Sequence, residues 1–201
     1  LGGQSVVAHT LDALAAVPSL TATLVVLSPY DTQFETHAPR FAQQRGWAVR
    51  QGGATRAASV VAGLRALRDR GAADGDWVLV HDAARCLLRP EWVQRLIDAC
   101  RADEVGGLLA LPLADTLKHT AHGRVHQTLS RVDKWLAQTP QMFRLGLLQR
   151  ALNEGDDAVT DEASAIEALG LKPLLVQGEA ENFKLTWPAD FALAARLLET
   201  R

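Results

Sequence analysis

An aspartate and an arginine three residues apart, set just after a short apolar run, offer the most direct chemistry in this sequence: Val80-His81-Asp82-Ala83-Ala84-Arg85. The preceding Trp77-Val78-Leu79-Val80 reads as a buried strand, and in open α/β sheets ligands bind beyond the carboxyl ends of strands. There Asp82 can orient a substrate hydroxyl or a hydrated Mg²⁺, and Arg85 can fork onto a phosphate. Ala83 and Ala84 let a ligand approach the backbone. An aspartate capping the next turn would look the same in sequence, and spacing alone leaves both readings open.

Other segments offer anion or hydroxyl recognition. Gln51-Gly52-Gly53-Ala54-Thr55-Arg56-Ala57-Ala58-Ser59 runs from strand to helix. Its paired glycines permit positive φ, the helix start attracts anions, and Ser59 can hydrogen-bond a base or sugar. An ordinary Gly-Gly turn is the competing reading. Lys184, in Asn182-Phe183-Lys184-Leu185-Thr186, lies between apolar residues on an apparently half-buried segment, where lysines are rare unless paired or functional. Thr160-Asp161-Glu162 reads as the cap of a helix through Ala163-Ser164-Ala165-Ile166. His119, His122 and His126 have loose metal-ligand spacing but read as solvated. The sequence has neither a Gly-x-Ser-x-Gly elbow nor a Gly-x-Gly-x-x-Gly after a strand, and no Cys/His metal set stands out. The candidates are cations and hydrogen-bonding groups without an obvious protein nucleophile. Phosphoryl and nucleotidyl transfers suit such a set, because a substrate phosphate can itself attack.

Alternating strands and helices must position these groups. Apolar periodicity predicts helices over 5–17, 32–45, 57–70, 90–101 and 188–198, and strands over 23–28, 47–50, 77–80, 107–113 and 173–176. That order predicts a mostly parallel sheet with helices on both faces. Residues 114–139 are polar and β-prone around His122-Gly123 and predict a projecting β-hairpin arm, with Arg131 and Thr139-Pro140-Gln141 near its end. The 201 residues suit one domain. A formal charge of -2 gives no general reason to expect nucleic acid as a partner. No apolar run approaches the roughly 20 residues of a membrane span. Two isolated cysteines, Cys86 and Cys100, fit a reducing cytoplasm.

Seven segments in order resemble the 2-C-methyl-D-erythritol 4-phosphate cytidylyltransferase family: Gly52-Gly53 to Ser59, Val80 to Arg85, Asp115-Thr116-Leu117-Lys118, Arg131, Thr139-Pro140-Gln141, Thr160-Asp161-Glu162-Ala163-Ser164, and Asn182 to Thr186. The resemblance implies a Rossmann-like nucleotidyltransferase fold and a homodimer clasped through the arm. It also implies the reaction, attack of the methylerythritol 4-phosphate oxygen on the α-phosphorus of CTP with release of pyrophosphate. By position, Gly52, Gly53, Ser59 and Ala83 would lie on the nucleotide side. Asp82 and Arg85 would hold sugar phosphate and nucleotide near the reacting centre. Lys184 and Arg131 would position the attacking phosphate, and Thr116 and Thr139 would bind the methylerythritol, with Thr116 and Arg131 coming from the partner's arm. Lys184, Arg131 and Asp82 are the implied catalytic residues. Mg²⁺ is the implied cofactor, held mainly by the CTP phosphates with Asp82 as a candidate ligand.

Departures from the family pattern are visible. Ala54, Thr55 and Ala58 stand where acidic residues are usual, Cys86 replaces a usual proline, and Trp187 occupies a variable place. The family also begins with a strand and a glycine-rich loop carrying an arginine and a lysine. Leu1 aligns just downstream of that loop, so a chain of these residues alone is expected to be nearly inactive. Two other functions compete: a ribitol 5-phosphate cytidylyltransferase, and a non-catalytic nucleotide-binding subunit. The pattern of Arg131 with Thr139-Pro140-Gln141 favours methylerythritol over ribitol. Retention of Lys184, Arg131 and Asp82 together favours an enzyme over a binding subunit.

Overall fold

Leu108 and Leu109 are neighbours in one strand yet belong to opposite hydrophobic cores, and that alternation organises the molecule. In this computed structural model, which describes residues 1–155 and 159–201, the chain begins with helix α1 (Val6–Ala15). Ser5 caps it, its Oγ accepting from the Ala8 N–H at 3.2 Å. Strands β1 (Thr23–Val26) and β2 (Gly46–Val49) pair in parallel. Between them, the single helix expected over 32–45 divides into α2 (Phe34–His37) and a 3₁₀ turn over Pro39–Gln43. The cause is local, since a proline disfavours helical backbone at the residue before it, here Ala38.

Helix α3 (Arg56–Asp69) starts at Thr55, whose Oγ1 accepts from the Ala58 N–H, so a threonine at one of the departures from the family pattern serves as a cap. Next come β3 (Trp77–Val80), α4 (Pro90–Cys100) and β4 (Gly106–Pro112). A hairpin of β5 (Leu117–Ala121) and β6 (Arg124–Leu129) follows. It turns at His122 and Gly123 with φ of 51° and 74°, the paired positive φ that a tight hairpin requires. Strand β7 (Trp135–Arg144), helices α5 (Leu145–Glu154) and α6 (Glu162–Ala168), strand β8 (Leu174–Gln177) and helix α7 (Pro188–Glu199) complete the chain.

The central sheet corrects one expectation. Its order is β3-β7-β4-β8, with β7 antiparallel to both β3 and β4 and only β8 parallel to β4. The sheet is therefore mixed, not mostly parallel. The connection from β4 to β7 passes through the hairpin and contains no crossover helix, so the chain returns antiparallel. Helices do cover both faces. Residues of α4, including Trp92, Leu96 and Cys100, pack with Leu109, Met142 and Val176. On the other face Leu64 of α3, Leu148 of α5 and Ile166 of α6 pack with Leu108 and Phe143. Residues 135–139, read from sequence as the end of the arm, form the first half of β7. Pro140 fits inside this central strand because β3 ends at Val80 opposite Gln141, while the ladder to β4 shifts register between Leu108 and Ala110. Neither neighbour asks for the N–H that proline lacks.

Candidate active site

Strand β3 delivers the turn 82–85 to the carboxyl end of the sheet, and three tertiary contacts fix its backbone. Thr10 Oγ1 donates to the Ala83 carbonyl at 2.7 Å, and the Leu185 N–H donates to the Ala84 carbonyl at 2.9 Å. The Asp82 N–H donates to Thr139 Oγ1 at 3.0 Å. With its backbone held, the Asp82 side chain is free to act elsewhere. Its Oδ1 accepts from Arg56 Nε at 2.9 Å, its Oδ2 lies 3.1 Å from Lys184 Nζ, and Arg85 Nε stands 3.8 Å away. Among the described residues the carboxylate caps no backbone N–H, so the turn-cap reading of Asp82 gives way to a cation-shared carboxylate. Burial alone would raise the Asp82 pKa, but Arg56 and Lys184 outweigh it and hold the carboxyl below its usual range.

Arg56 has a second partner. Its Nη1 and Nη2 donate to Glu162 Oε1 and Oε2 at 2.6 and 2.9 Å, a bidentate ion pair. The Glu162 side chain is only 1% exposed, whereas that of Arg56 is 34% exposed. Burial pushes the Glu162 carboxyl up, opposed by Arg56. Removing Arg56 alone would strand a buried carboxylate, at a cost of about 3 kcal/mol. Around this core stand three cations and two anions, Arg56, Arg85 and Lys184 against Asp82 and Glu162. Arg85 adds a further feature. Its Nη1 donates to the Asn182 carbonyl at 2.7 Å, while its buried Nε has no hydrogen-bond partner among the described residues. Burial lowers the Arg85 pKa from its ordinary value, partly offset by Asp82.

His81 lies beneath this turn. The protonation pattern that satisfies every contact runs in one direction: Asp82 N–H to Thr139 Oγ1, Thr139 hydroxyl to His81 Nδ1 at 3.0 Å, and His81 Nε2–H to the Arg85 carbonyl at 3.3 Å. Burial pushes the imidazole down to about 4, against the hydrogen bond to Arg85 that favours its charged form. A depressed histidine contributes stability that is complete above its unfolded value near 6.5 and is lost as pH falls toward 4. Urea unfolding of wild type and His81→Asn between pH 7 and pH 4 is expected to show it. The wild type should lose up to about 3 kcal/mol more than the variant over that range. Parallel profiles would mean that His81 is not held neutral.

The remaining sequence-derived residues divide into two groups. Gly52, Gly53 and Ser59 sit at the start of α3, tied to the strand end through Arg56. The Gly53 N–H donates to Ser59 Oγ at 3.1 Å, and Ser59 Oγ donates to the Thr55 carbonyl. Neither glycine uses the positive φ open to it. They are needed for room, because a Cβ on Gly52 would meet the Leu27 carbonyl at 2.7 Å and one on Gly53 the Ala58 Cβ at 2.5 Å. Lys184 is nearer solvent than its apolar neighbours suggest, with its side chain 46% exposed and its tip on Asp82. Thr139 is buried in β7. Thr116 and Arg131 are not brought to Asp82. They lie exposed at the base of the hairpin, where Arg131 Nη1 donates to the Ala114 carbonyl. His119 and His126 meet edge to face on the arm, and no metal-binding group of His, Cys, Asp or Glu occurs among the described residues.

The sequence gives Arg56 and Asn182 no role, and Glu162 only a part in a helix cap. Buried Asn182 donates from Nδ2 to the Thr139 carbonyl at 2.9 Å and to Gln138 Oε1, locking the Lys184 segment to β7. The available signal was a charge placed at the first position of a helix otherwise opened by small apolar residues, as at Arg56-Ala57-Ala58 and Glu162-Ala163. Asp161 does cap α6, in a reciprocal box with Ser164.

Comparison with known proteins gives a consistent result. The family model described as 2-C-methyl-D-erythritol 4-phosphate cytidylyltransferase matches residues 1–200. A protein of that name from Laribacter hongkongensis is 58% identical over 98% of this chain and 85% of its own length. A bifunctional enzyme IspD/IspF from Albidiferax ferrireducens is also 58% identical, and there the chain spans about half of the relative, 48%. Among solved structures, a 4-diphosphocytidyl-2C-methyl-D-erythritol synthase superposes with a TM-score of 0.93 at 43% identity, covering 98% of this chain and 92% of the other.

Proposed function

The chain belongs to the 2-C-methyl-D-erythritol 4-phosphate cytidylyltransferase family of the non-mevalonate isoprenoid pathway, and we propose that it transfers CMP from CTP to methylerythritol 4-phosphate at the centre built on Asp82. The observation that carries the site assignment is the Asp82 carboxylate shared between Arg56 and Lys184, with Arg85 beside it, at a strand's carboxyl end.

In the reaction a phosphate oxygen of methylerythritol 4-phosphate bonds to the α-phosphorus of CTP, and the bond to the departing pyrophosphate breaks. A phosphate monoester is largely dianionic near neutral pH, so it needs alignment and charge relief more than a general base. Lys184 keeps donors beyond the one aimed at Asp82 and is open to solvent, which suits a group that meets the attacking phosphate. The unpartnered Arg85 Nε is a buried donor suited to an anion. Gly52, Gly53, Ser59 and Ala83 would line the nucleotide side of the same strand end. Thr139 retains one lone pair after serving Asp82 and His81, enough to accept from a methylerythritol hydroxyl. Thr116 and Arg131 would enter from a second protomer, whose hairpin packs across to complete each site in a homodimer.

Mg²⁺ would shield the triphosphate charge. The donor set fits a metal held chiefly by phosphate oxygens, because of the two carboxylates in the centre Glu162 is buried under the Arg56 fork and the oxygens of Asp82 already face cations. The α/β architecture suits a Rossmann-like nucleotidyltransferase fold. Among the described residues no helix is long and apolar enough to cross a membrane. Cys86 and Cys100 are both free thiols, which suits a reducing cytoplasm.

Pyrophosphate release by the complete enzyme with CTP tests the proposal. Methylerythritol 4-phosphate is expected to react about 10²-fold faster than ribitol 5-phosphate, because a site built around specific hydroxyls rejects a chain that places them differently. No release with either alcohol would refute the enzyme reading. Faster release with ribitol 5-phosphate would transfer the chain to the ribitol-using reaction.

A further inference from the structure

Two charged residues outside the proposed reaction scheme hold Asp82 from behind. Arg56 opens α3 and Glu162 opens α6, and each helix start is fixed independently. Thr55 caps α3, while Gln141 of β7 holds α6 from both sides, donating to Asp161 Oδ2 at 2.8 Å and accepting from the Ala163 N–H at 2.7 Å. The contacts close a ring. From β7 they pass to α6, from Glu162 through the Arg56 fork to Asp82, and from the Asp82 N–H back to Thr139 on β7.

We infer that Arg56 and Glu162 are positioning residues for cytidylyl transfer: the rigid guanidinium fork fixes the Asp82 carboxylate so that its Oδ2 faces Lys184. The inference rests on the reaction proposed above. A guanidinium bound through two nitrogens to a buried carboxylate cannot swing, and its Nε then presents one direction to Asp82. Glu162 also neutralises Arg56, leaving Lys184 as the exposed cation that an incoming phosphate meets, with the largely buried Arg85 behind it. The same fork ties the Gly52-Gly53 loop, which immediately precedes α3, to the strand end across from it.

A substitution that simply strands one member of the pair could unfold the protein, so the test replaces both. Exchanging a buried ion pair for apolar groups of similar volume is often neutral for stability. Arg56→Met with Glu162→Leu should therefore melt close to wild type. In the complete enzyme this double change is expected to lower kcat about 10²-fold, as loss of positioning does, with KM for CTP changed less than about threefold. In an Asp82→Asn background the same double change should lower kcat by less than about threefold, because the residues act through Asp82. Equal losses in both backgrounds would overturn the inference, since a generally structural pair would add its effect in either. Arg56→Lys keeps the charge without the fork and should still lose at least about tenfold in kcat. Full activity there would also overturn it.

A crystal structure of the double variant gives a readout independent of the substrate. Asp82 Oδ1 loses its Arg56 donor, so the carboxylate should turn from its wild-type orientation or take more than one, and a single unchanged Asp82 orientation would refute positioning whatever the enzyme acts on. A wild type without turnover would refute the proposed reaction instead.

Discussion

Lys184→Ala in the complete enzyme is expected to lower kcat for pyrophosphate release about 10³-fold while leaving the fold and its melting temperature nearly unchanged. The reason lies in what holds the lysine. Its segment is anchored through the Leu185 N–H to Ala84, the Asn182 amide to Thr139, and the Arg85 guanidinium to the Asn182 carbonyl. None of these contacts uses the lysine side chain. Truncation therefore removes a charge without releasing the loop, and a side chain 46% exposed takes little packing with it. The lost charge matters more. Two unit charges 4 Å apart interact by about 4 kcal/mol at an effective dielectric of 20, and that energy is worth roughly 10³ in rate when expressed in the transition state. Asp82 would keep Arg56, stay ionised, and face the attacking phosphate dianion with one counter-charge fewer. Steady-state kinetics with circular dichroism check both halves. A kcat within about tenfold of wild type would remove Lys184 from the transfer step.

The same anchoring explains what the sequence could and could not reveal. Asp82 and Lys184 were legible because each breaks a local pattern, one ending the apolar strand Trp77–Val80 and the other standing between Phe183 and Leu185. Glu162 obeys its local pattern as an acid in the first turn of a helix, and Arg56, a cation at a helix start, departs from its own without telling what it meets. Their meaning arises only when residues 106 positions apart meet, and no periodicity records that pairing. The arm was legible from His122-Gly123, a turn written directly into residue types.

Strand β7 was hidden for the opposite reason. Gln138 read as part of the projecting arm and Pro140 and Gln141 as flanking its end, yet Gln138 and Gln141 are buried in the central sheet. Tertiary partners satisfy them, with Glu179 and Asn182 on Gln138 and with Asp161 and Ala163 on Gln141. Missing β7 also produced the expectation of a mostly parallel sheet, because β7 alone supplies both antiparallel ladders there. The polar residues that disguised this strand are the ones that hold the site. Gln141 sets the helix carrying Glu162, and Thr139 supports the Asp82 backbone.

Mixing inactive Arg131→Ala and Lys184→Ala protomers is expected to restore about a quarter of wild-type activity, the second large effect that follows from the proposed dimer. The hairpin carrying β5 and β6 is exposed along most of its length, and Val125 and Val132 keep more than half of their surface open at 62% and 69%. Exposed apolar side chains on the hairpin and in the turn that follows it suit burial against a second copy. Among the described residues Arg131 makes no ion pair with its own Asp82 centre, and its guanidinium donates to Ala114 at the base of the arm. If Arg131 acts across the interface, a heterodimer of the two variants contains one site with both residues intact and one with neither. Random pairing makes about half the dimers mixed, and so leaves about a quarter of all sites whole. If Arg131 instead served its own chain, every site in the mixture would lack one residue and no activity would return. Purified heterodimers sharpen the comparison, since they should reach about half of wild-type turnover per dimer. Inactive heterodimers, from variants that each fold and dimerise, would show that the arm does not complete its partner's site.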